Sequence, residues 1–384
     1  MICSEPVKEK ALNCAKNIAD WIVNHQIPPS DGNAASGDYL FSISTDGIKT
    51  PANNWNLAFA TMGLIAASRT FNDTRYSNAA KWMIEYLKTL QIFDPFLPEH
   101  YGAIREMSPQ TPWCYTRDAL SGAWGFLEYY RFTGDDEYLK RAKLWGEWLL
   151  KKGLDETGWP LWGVQFAPWL TERTPLFCND MHGSFHGGGL NFFYQLYLET
   201  NDKKWIGTFF EHIADYFISH MQQSDGFFRT IEKVTGNVPI NDPQCGLHRA
   251  NDDLGTLGLL CAYQIYDKKE YLIAIERFIK AVFEKQEKDG NFEKSCAAIP
   301  VVLNILEEIT PLVDLKISQV YIEKALHALF ARQISSCDIR EDFRGGLDEC
   351  GNGAVCVRSM CYALIFLLKI SAVEKRFLTA WNKK

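Results

Sequence analysis

The sequence lacks the features that define several simple classes of protein. Across its 384 residues no apolar run reaches the roughly 18 residues that a membrane helix needs. The net charge of −7 is spread along the chain without a block of like charge, so we expect no nucleic acid as a partner. The N-terminus has no apolar segment typical of a secretory signal. These absences predict a cytoplasmic protein with no membrane partner.

Motifs for common cofactors and nucleophiles are missing as well. The chain has no dinucleotide fingerprint, no phosphate-binding loop and no GxSxG elbow, which argues against most nicotinamide enzymes, kinases and serine hydrolases. The 11 cysteines are an odd number without CxxC pairs, so buried thiols explain them better than a disulfide framework. We therefore predict neither a cofactor nor a bound metal.

Helical periodicity runs through almost the whole chain, in two alternating sets of six segments. One set is amphipathic, as expected for outer helices, and the other is apolar nearly all round, so that its members must be enclosed by neighbours. The amphipathic segments are Val7–Asn24, Tyr76–Leu90, Glu137–Leu150, Trp205–Met221, Tyr271–Glu287 and Ile317–Gln333. The apolar segments are Trp55–Thr70, Ala119–Phe132, Phe185–Leu198, Leu254–Tyr266, Ala297–Ile309 and Ala354–Ile370.

The links between the two sets also repeat. Links from an apolar to an amphipathic segment are short, with an Asp or Asn suited to cap the next helix and then an aromatic residue. The return links are longer, and several begin with a glycine turn and an aromatic, which predicts short β-hairpins. A repeat of this kind is typical of stacked helical hairpins. The recurring aromatics are Tyr76, Tyr138, Trp205 and Tyr271.

Six such hairpins, with all long loops on one face, predict an all-α (α/α)6 toroid that spans residues 1–384 as a single domain. The segment Thr133-Gly-Asp-Asp-Glu-Tyr138, followed by Ala142, is a common feature of the six-hairpin glycosidase superfamily, which the chain resembles over essentially its whole length. Within that group the chain is most similar to unsaturated glucuronyl and rhamnogalacturonyl hydrolases. The resemblance implies an enzyme with an oligosaccharide as its partner.

The candidate site lies where the long loops meet the N-terminal ends of the apolar helices. The resemblance implies an acid–base aspartate at the start of the second and third of these helices, where Asp118 and Asp180 stand. For Asp118 the simple alternative is an ordinary helix cap. The predicted catalytic residues are Asp118, Asp180, Asp252 and Asp253.

Aromatic, histidine and arginine side chains near these aspartates are the predicted substrate-binding residues. Aromatic rings suit the apolar C–H faces of sugars, and arginine binds carboxylates bidentately. His182 and His186 are four residues apart, which one helical face can turn into metal ligands, but a proton shuttle or hydrogen-bond donor explains them better. The residues are Trp55, Trp113, Tyr115, Arg117, Trp159, Trp162, His182, His186, His248, Arg249 and Arg358.

Three functions fit this set of residues. The first is a glycoside hydrolase that acts on an oligosaccharide, with or without uronic acid, through its aspartates. The second is a sugar epimerase or a polysaccharide lyase in which a histidine or Tyr115 moves a proton, although the His-Pro-Gly segment of acylglucosamine epimerases is absent. The third is a carbohydrate-binding toroid without activity. The oligomeric state and the sugar stay open.

Overall fold

The computed structural model describes residues 4–29, 35–154, 158, 160–161, 163–166, 174–175, 180–228, 231–233, 255–335 and 337–371. For residues 174–175, 180–188 and 231–233 it describes the secondary structure and not the side chains. Within these ranges the chain forms twelve α-helices joined by short strands and turns.

The twelve helices correspond one to one with the twelve predicted segments. The helices on the amphipathic segments are α1 (Glu5–Asn24), α3 (Thr74–Leu90), α5 (Asp136–Trp148), α7 (Thr208–Tyr216), α9 (Lys269–Glu284) and α11 (Gln319–Ala331). Those on the apolar segments are α2 (Asn54–Phe71), α4 (Thr116–Thr133), α6 (Gly183–Thr200), α8 (Gly255–Tyr266), α10 (Ala298–Ile309) and α12 (Val357–Ile370). The prediction of an alternating helical repeat is confirmed.

Several boundaries differ from the prediction, and at two helices other secondary structure occupies the predicted end. The segment Trp205–Met221 contains α7 in its middle, with a 3-10 turn at Lys203–Ile206 before it and a π-helical turn at Phe217–Met221 after it. The last helix begins three residues later than predicted, because Val355–Cys356 pairs as a strand.

Short antiparallel strands occupy the long links, as the glycine turns predict. They are β1 (Leu40–Ile43), β2 (Lys49–Pro51), β3 (Trp113–Tyr115), β4 (Gly163–Gln165), β5 (Thr174–Pro175), β6 (Asp180–His182), β7 (Ile231–Lys233) and β8 (Val355–Cys356). The described strands form sheets of order β2-β1-β8, β3-β4-β5 and β6-β7. In the second sheet Trp113 lies opposite Gln165 and Tyr115 opposite Gly163. The strand β3 ends at Tyr115, and α4 begins at the next residue.

The helices group into two compact units. The first unit contains the chain up to Ala52, Phe59–Tyr86 and the described chain from Ile279 to residue 371, and in it α12 packs against α1 and α10. The second contains Asn53–Ala58 and Leu87–Phe278, and in it α6 packs against α4 and α8 while α4 packs against α5. The single domain over residues 1–384 stays a prediction.

The short links have the predicted capping and packing. The Asp135 carboxylate accepts a hydrogen bond of 2.9 Å from the Glu137 N–H at the start of α5, and Asp202 accepts one of 3.1 Å from the Lys204 N–H. These aspartates satisfy N–H groups that have no partner inside their helix. The recurring aromatics are buried, and at most 5% of each is exposed; they are Tyr76, Tyr138, Trp205 and Tyr271.

A second repeat, which the sequence analysis missed, fixes the other end of the amphipathic helices. A glutamine shortly after such a helix donates hydrogen bonds from its side-chain amide to two main-chain carbonyls, at 2.8–3.2 Å. One carbonyl belongs to a turn glycine with positive φ, and the other belongs to a residue of another amphipathic helix. In the first unit Gln333 bonds to Cys14 of α1, which joins the last hairpin to the first. The pairs are Gln26–Gly37, Gln91–Gly102, Gln222–Gly226, Gln286–Gly290 and Gln333–Gly345.

Two further expectations can be compared with the described part of the chain. No helix there is long and apolar enough to span a membrane. The eight cysteines that lie in it are free thiols, and five of them are buried, as expected from the lack of paired spacing.

Candidate active site

Asp118 is the third residue of α4 and is only 5% exposed. The helix begins three residues earlier than predicted, and Tyr115 occupies the N-cap position. The interpretation of Asp118 as an ordinary cap is therefore wrong. Its Oδ1 instead accepts a hydrogen bond of 2.7 Å from Nε of Arg117, whose side chain is one-third exposed.

A second carboxyl group, that of Glu106, lies in hydrogen-bond contact with Asp118. Glu106 is 3% exposed. Its Oε2 accepts a hydrogen bond of 3.0 Å from the Tyr115 N–H, and its Oε1 accepts one of 3.3 Å from Nδ2 of Asn53. The sequence analysis did not find Glu106, because it is a single glutamate in an irregular loop.

The main chain holds Glu106 at this position. Its N–H donates to the Trp113 carbonyl at 3.1 Å, and its carbonyl accepts from the Asn54 N–H at 2.9 Å. Nδ2 of Asn54 also donates to the Arg105 carbonyl at 3.0 Å. The loop is thereby tied both to β3 and to the first turn of α2, which fixes where the carboxyl group points.

Burial and the charge of Asp118 raise the pKa of Glu106 well above its ordinary value. The hydrogen bond with Asp118 acts in the same direction, whereas the Tyr115 N–H and the Arg117 charge partly oppose it. Two carboxyl groups in hydrogen-bond contact cannot both be ionised without strong repulsion, so one of them holds a proton. Because Arg117 pairs with Asp118, the proton belongs on Glu106.

Three predicted aromatic residues lie in the same unit as this pair. Trp113 and Tyr115 are half-buried at the two ends of β3, so part of each ring stays accessible. Trp55 lies in the first turn of α2 and is 9% exposed, which leaves little of its ring for a ligand. Burial, together with the neighbouring Glu106 and Asp118, raises the pKa of the Tyr115 hydroxyl, so this group is neutral. The role of all three in binding stays a prediction.

The predicted residues of the third helical hairpin are described only in their main chain. Asp180 and His182 lie in β6, which pairs with β7, and His186 lies in the first turn of α6. The assumption that both histidines share one helical face is wrong, because His182 precedes the helix. The predicted residues that lie outside the described ranges are Trp159, Trp162, His248, Arg249, Asp252 and Asp253.

Arg358 belongs to the first unit, where it is the second residue of α12. Its Nη1 lies 3.7 Å from Oε1 of Glu349, which is 8% exposed and also accepts a hydrogen bond of 2.6 Å from the Ser295 hydroxyl. The charge of Arg358 is thus balanced by a carboxylate. Among the side chains that the structure describes, no group of three or more His, Cys, Asp or Glu residues has the arrangement of a metal site.

Comparison with known proteins gives a fold and no family. No protein-family model matches the chain, and no curated protein does. Several solved structures match over nearly the whole chain. An inactive variant of an α-1,6-mannanase from Salegentibacter sp., in complex with α-1,6-mannotriose, is 14% identical with a TM-score of 0.65, and the match covers 95% of this chain and all of that one.

Two other solved structures have different activities. An unsaturated glucuronyl hydrolase specific for heparin is 15% identical with a TM-score of 0.69, covering 98% of this chain and 100% of that one. A cellobiose 2-epimerase from Bacillus thermoamylovorans is 13% identical with a TM-score of 0.64, covering 93% and 98%. All three belong to the six-hairpin glycosidase superfamily. The predicted (α/α)6 toroid fold is confirmed.

Proposed function

We propose that the chain is a glycoside hydrolase that cleaves an oligosaccharide with Asp118 as its general acid and base. The observation that carries the proposal is the buried pair of Asp118 and Glu106 at the start of α4, where the N-cap N–H of Tyr115 holds Glu106 beside the first turn. Hydrolysis of a glycosidic bond needs a carboxyl group that still holds a proton near neutral pH, in order to protonate the leaving oxygen. A buried carboxyl pair provides such a proton.

A glycosidase also needs a second carboxylate, as nucleophile or as the base that activates water. We assign this role to Asp180 or to one of Asp252 and Asp253. Asp180 is supported by its position near the start of an apolar helix: it lies three residues before α6, and Asp118 lies in the first turn of α4. The separation of the two carboxyl groups decides the stereochemistry: about 5–5.5 Å suits a retaining enzyme, and a wider gap an inverting or hydrating one.

The two predicted substrate-binding arginines whose side chains the structure describes favour a neutral oligosaccharide as the substrate. Arg117 lies 2.7 Å from the Asp118 carboxylate, and Arg358 lies 3.7 Å from Glu349. An arginine that already faces a carboxylate is a poor receptor for the acid group of a uronic sugar. The half-buried rings of Trp113 and Tyr115 suit the apolar face of a neutral pyranose. The α-1,6-mannanase of this fold offers a first neutral probe, α-1,6-mannotriose.

A sugar epimerase is the second candidate, and the match to a cellobiose 2-epimerase supports it. In that case a histidine at position 182, 186 or 248 removes and returns a proton at a sugar carbon. The reaction leaves the mass of the sugar unchanged, whereas hydrolysis divides the sugar and adds one water.

Product analysis separates these functions. The protein is incubated with α-1,6-mannotriose, cellobiose and an unsaturated glucuronyl disaccharide, and the products are followed by mass spectrometry, sugar chromatography and ultraviolet absorbance. We expect smaller sugars that carry one added water. An epimer of unchanged mass identifies the epimerase, and loss of absorbance from the unsaturated disaccharide identifies a hydrolase of unsaturated uronic sugars. Binding of these sugars without any product would contradict both enzyme proposals.

A further inference from the structure

Glu106 is a buried glutamate beside the start of α4, the helix that carries Asp118. It is almost completely buried, and the described residues around it provide hydrogen-bond donors from an amide side chain and a main-chain N–H. No arginine or lysine is hydrogen-bonded to its carboxyl group among the contacts described above. A further neighbour is the carboxyl group of Asp118: the Tyr115 N–H that binds Glu106 is at the N-cap of α4, and Asp118 lies three residues later in the first turn of that helix.

The titratable and charged groups that face Glu106 are few. Arg117 contributes a positive charge but is hydrogen-bonded to Asp118 at 2.7 Å. Cys114 and Tyr115 also lie close, and burial raises the pKa of both, so both stay neutral around pH 7. The protonation of Glu106 is therefore governed by Asp118 and by the lack of water.

We propose that Glu106 and Asp118 share a single proton at neutral pH, and that Glu106 is the positioning residue that keeps this proton available to Asp118. The proposal rests on the proposed function of Asp118. A single aspartate beside an arginine would be ionised at pH 7 and could not act as an acid. A carboxyl pair loses its last proton far less readily, because its loss places two negative charges side by side.

The proton balance of one turnover follows from this arrangement. The pair starts with one proton and one negative charge. The proton, which rests on Glu106, passes through Asp118 to the leaving glycosidic oxygen as the bond between that oxygen and the anomeric carbon breaks. For a moment the pair carries two negative charges, which Arg117, the Asn53 amide and the Tyr115 N–H stabilise. If the second carboxylate is the nucleophile, the water that then releases the sugar from it gives a hydroxyl to the anomeric carbon and its proton to the pair. If that carboxylate is instead the base, it takes the proton of the water, and the pair regains its own proton from solvent. Neither route needs an oxidant or a reductant.

A purely structural role for Glu106 makes a different prediction. If Glu106 only anchored its loop, Glu106→Gln would lower stability and reduce the rate at every pH, without moving the pH profile. If the two groups share a proton, Glu106→Gln removes the second negative charge and leaves Asp118 as an isolated acid. The alkaline limb of the rate profile then shifts to lower pH by on the order of 1–3 pH units.

The decisive experiment needs no substrate. The full chain is labelled with carbon-13 at the aspartate side-chain carboxyls, the Asp118 signal is assigned with Asp118→Asn, and its chemical shift is followed from acid to alkaline pH. We expect two steps in the wild type, one acidic and one near or above neutrality, because the protons of a coupled pair leave in two macroscopic steps. In Glu106→Gln a single acidic step is expected.

Glu128→Gln is the matched control, since Glu128 is as buried as Glu106, with 3% exposed. It lies on the same helix as Asp118 but near the opposite end, where it pairs with Arg131 at 2.7 Å. It is expected to keep the two steps of Asp118. A single acidic step of Asp118 in the wild type would overturn the proposal, and this result stands even if Glu106→Gln does not fold. Two steps in a protein that turns over no sugar would support the shared proton while contradicting the glycosidase.

Discussion

Asp38 gives the sharpest stability prediction, because it is a buried acid without a basic partner among the contacts described for it. It lies just before β1 and is 3% exposed. Its Oδ1 accepts a hydrogen bond of 2.7 Å from the Tyr39 N–H. This bond favours the charged form, but burial has the larger effect and raises the pKa of Asp38 from 3.8 to about 7.

The direction of the pH effect follows from that shift. A folded-state pKa above the unfolded one means that the folded protein holds the proton more tightly, so the stabilising contribution is complete below about pH 4. It is lost as the pH rises through about 7. Between pH 5 and pH 8 the wild type should therefore lose about 2.5 kcal/mol of its free energy of unfolding through this residue, since one pKa unit corresponds to about 1.4 kcal/mol.

Asp38→Asn removes the titration and keeps an oxygen that accepts from the Tyr39 N–H. The free energies of unfolding of the wild type and of Asp38→Asn are measured in urea at pH 5 and at pH 8. The difference between the two proteins is taken at each pH, so that the contributions of the other titrating groups cancel. We expect the difference to favour Asp38→Asn more at pH 8 than at pH 5, by about 2.5 kcal/mol.

The control is Asp46→Asn, at an exposed aspartate whose pKa is lowered, chiefly by the Ser44 hydroxyl. For Asp46 the sign is opposite, so its replacement should not favour the variant at pH 8. An Asp38→Asn difference that is equal at pH 5 and pH 8 would refute the reasoning, since Asp38 would then be charged in the folded protein throughout this range.

Two further substitutions test the packing. At Gly290 φ is +100°, and an added Cβ would lie 2.2 Å from the Lys324 carbonyl oxygen; we expect Gly290→Ala to lower the free energy of unfolding by about 2–4 kcal/mol in urea titrations. Gly47→Ala, at φ +85° in open space, should cost only about 1 kcal/mol, and equal losses would contradict the steric argument. The buried Lys369 Nζ lies 2.6 Å from Glu308 Oε1, so Lys369→Met should cost about 3–5 kcal/mol by thermal or chemical denaturation. Adding Glu308→Leu should recover part of that loss, and no recovery would mean that the uncompensated charge is not its cause.

The helical repeat could be predicted from the sequence because it depends on patterns among residues that are close together in the chain. Apolar spacing defines each segment, and the short links place Tyr76, Tyr138, Trp205 and Tyr271 at one position of the repeat, where all four are buried. The glutamine repeat had a sequence signal too, since each glutamine lies at or just after the end of an amphipathic segment and precedes a glycine. Its meaning depends on carbonyls of another helix, which no local pattern indicates.

The site was harder to predict, because its contacts join residues that are distant in sequence. Asp118 stands out by its position at the start of an apolar segment, and the structure places it in the first turn of α4, next to Arg117. Glu106 has no periodicity and no motif; its importance comes from Asn53, Trp113 and Tyr115, which hold its loop through hydrogen bonds. The start of α4 was misplaced because Trp113–Tyr115 continues into the helix without a capping side chain.

The central claim is that Asp118 carries the acid–base chemistry, and its most direct test is the rate of sugar release by Asp118→Asn. The control is Asp135→Asn, at an exposed aspartate that caps α5, where asparagine caps as well. On the sugar that the wild type cleaves, kcat/KM of Asp118→Asn should fall on the order of 10²- to 10⁴-fold with the fold intact, while Asp135→Asn keeps the wild-type value. Wild-type turnover by Asp118→Asn would contradict the account.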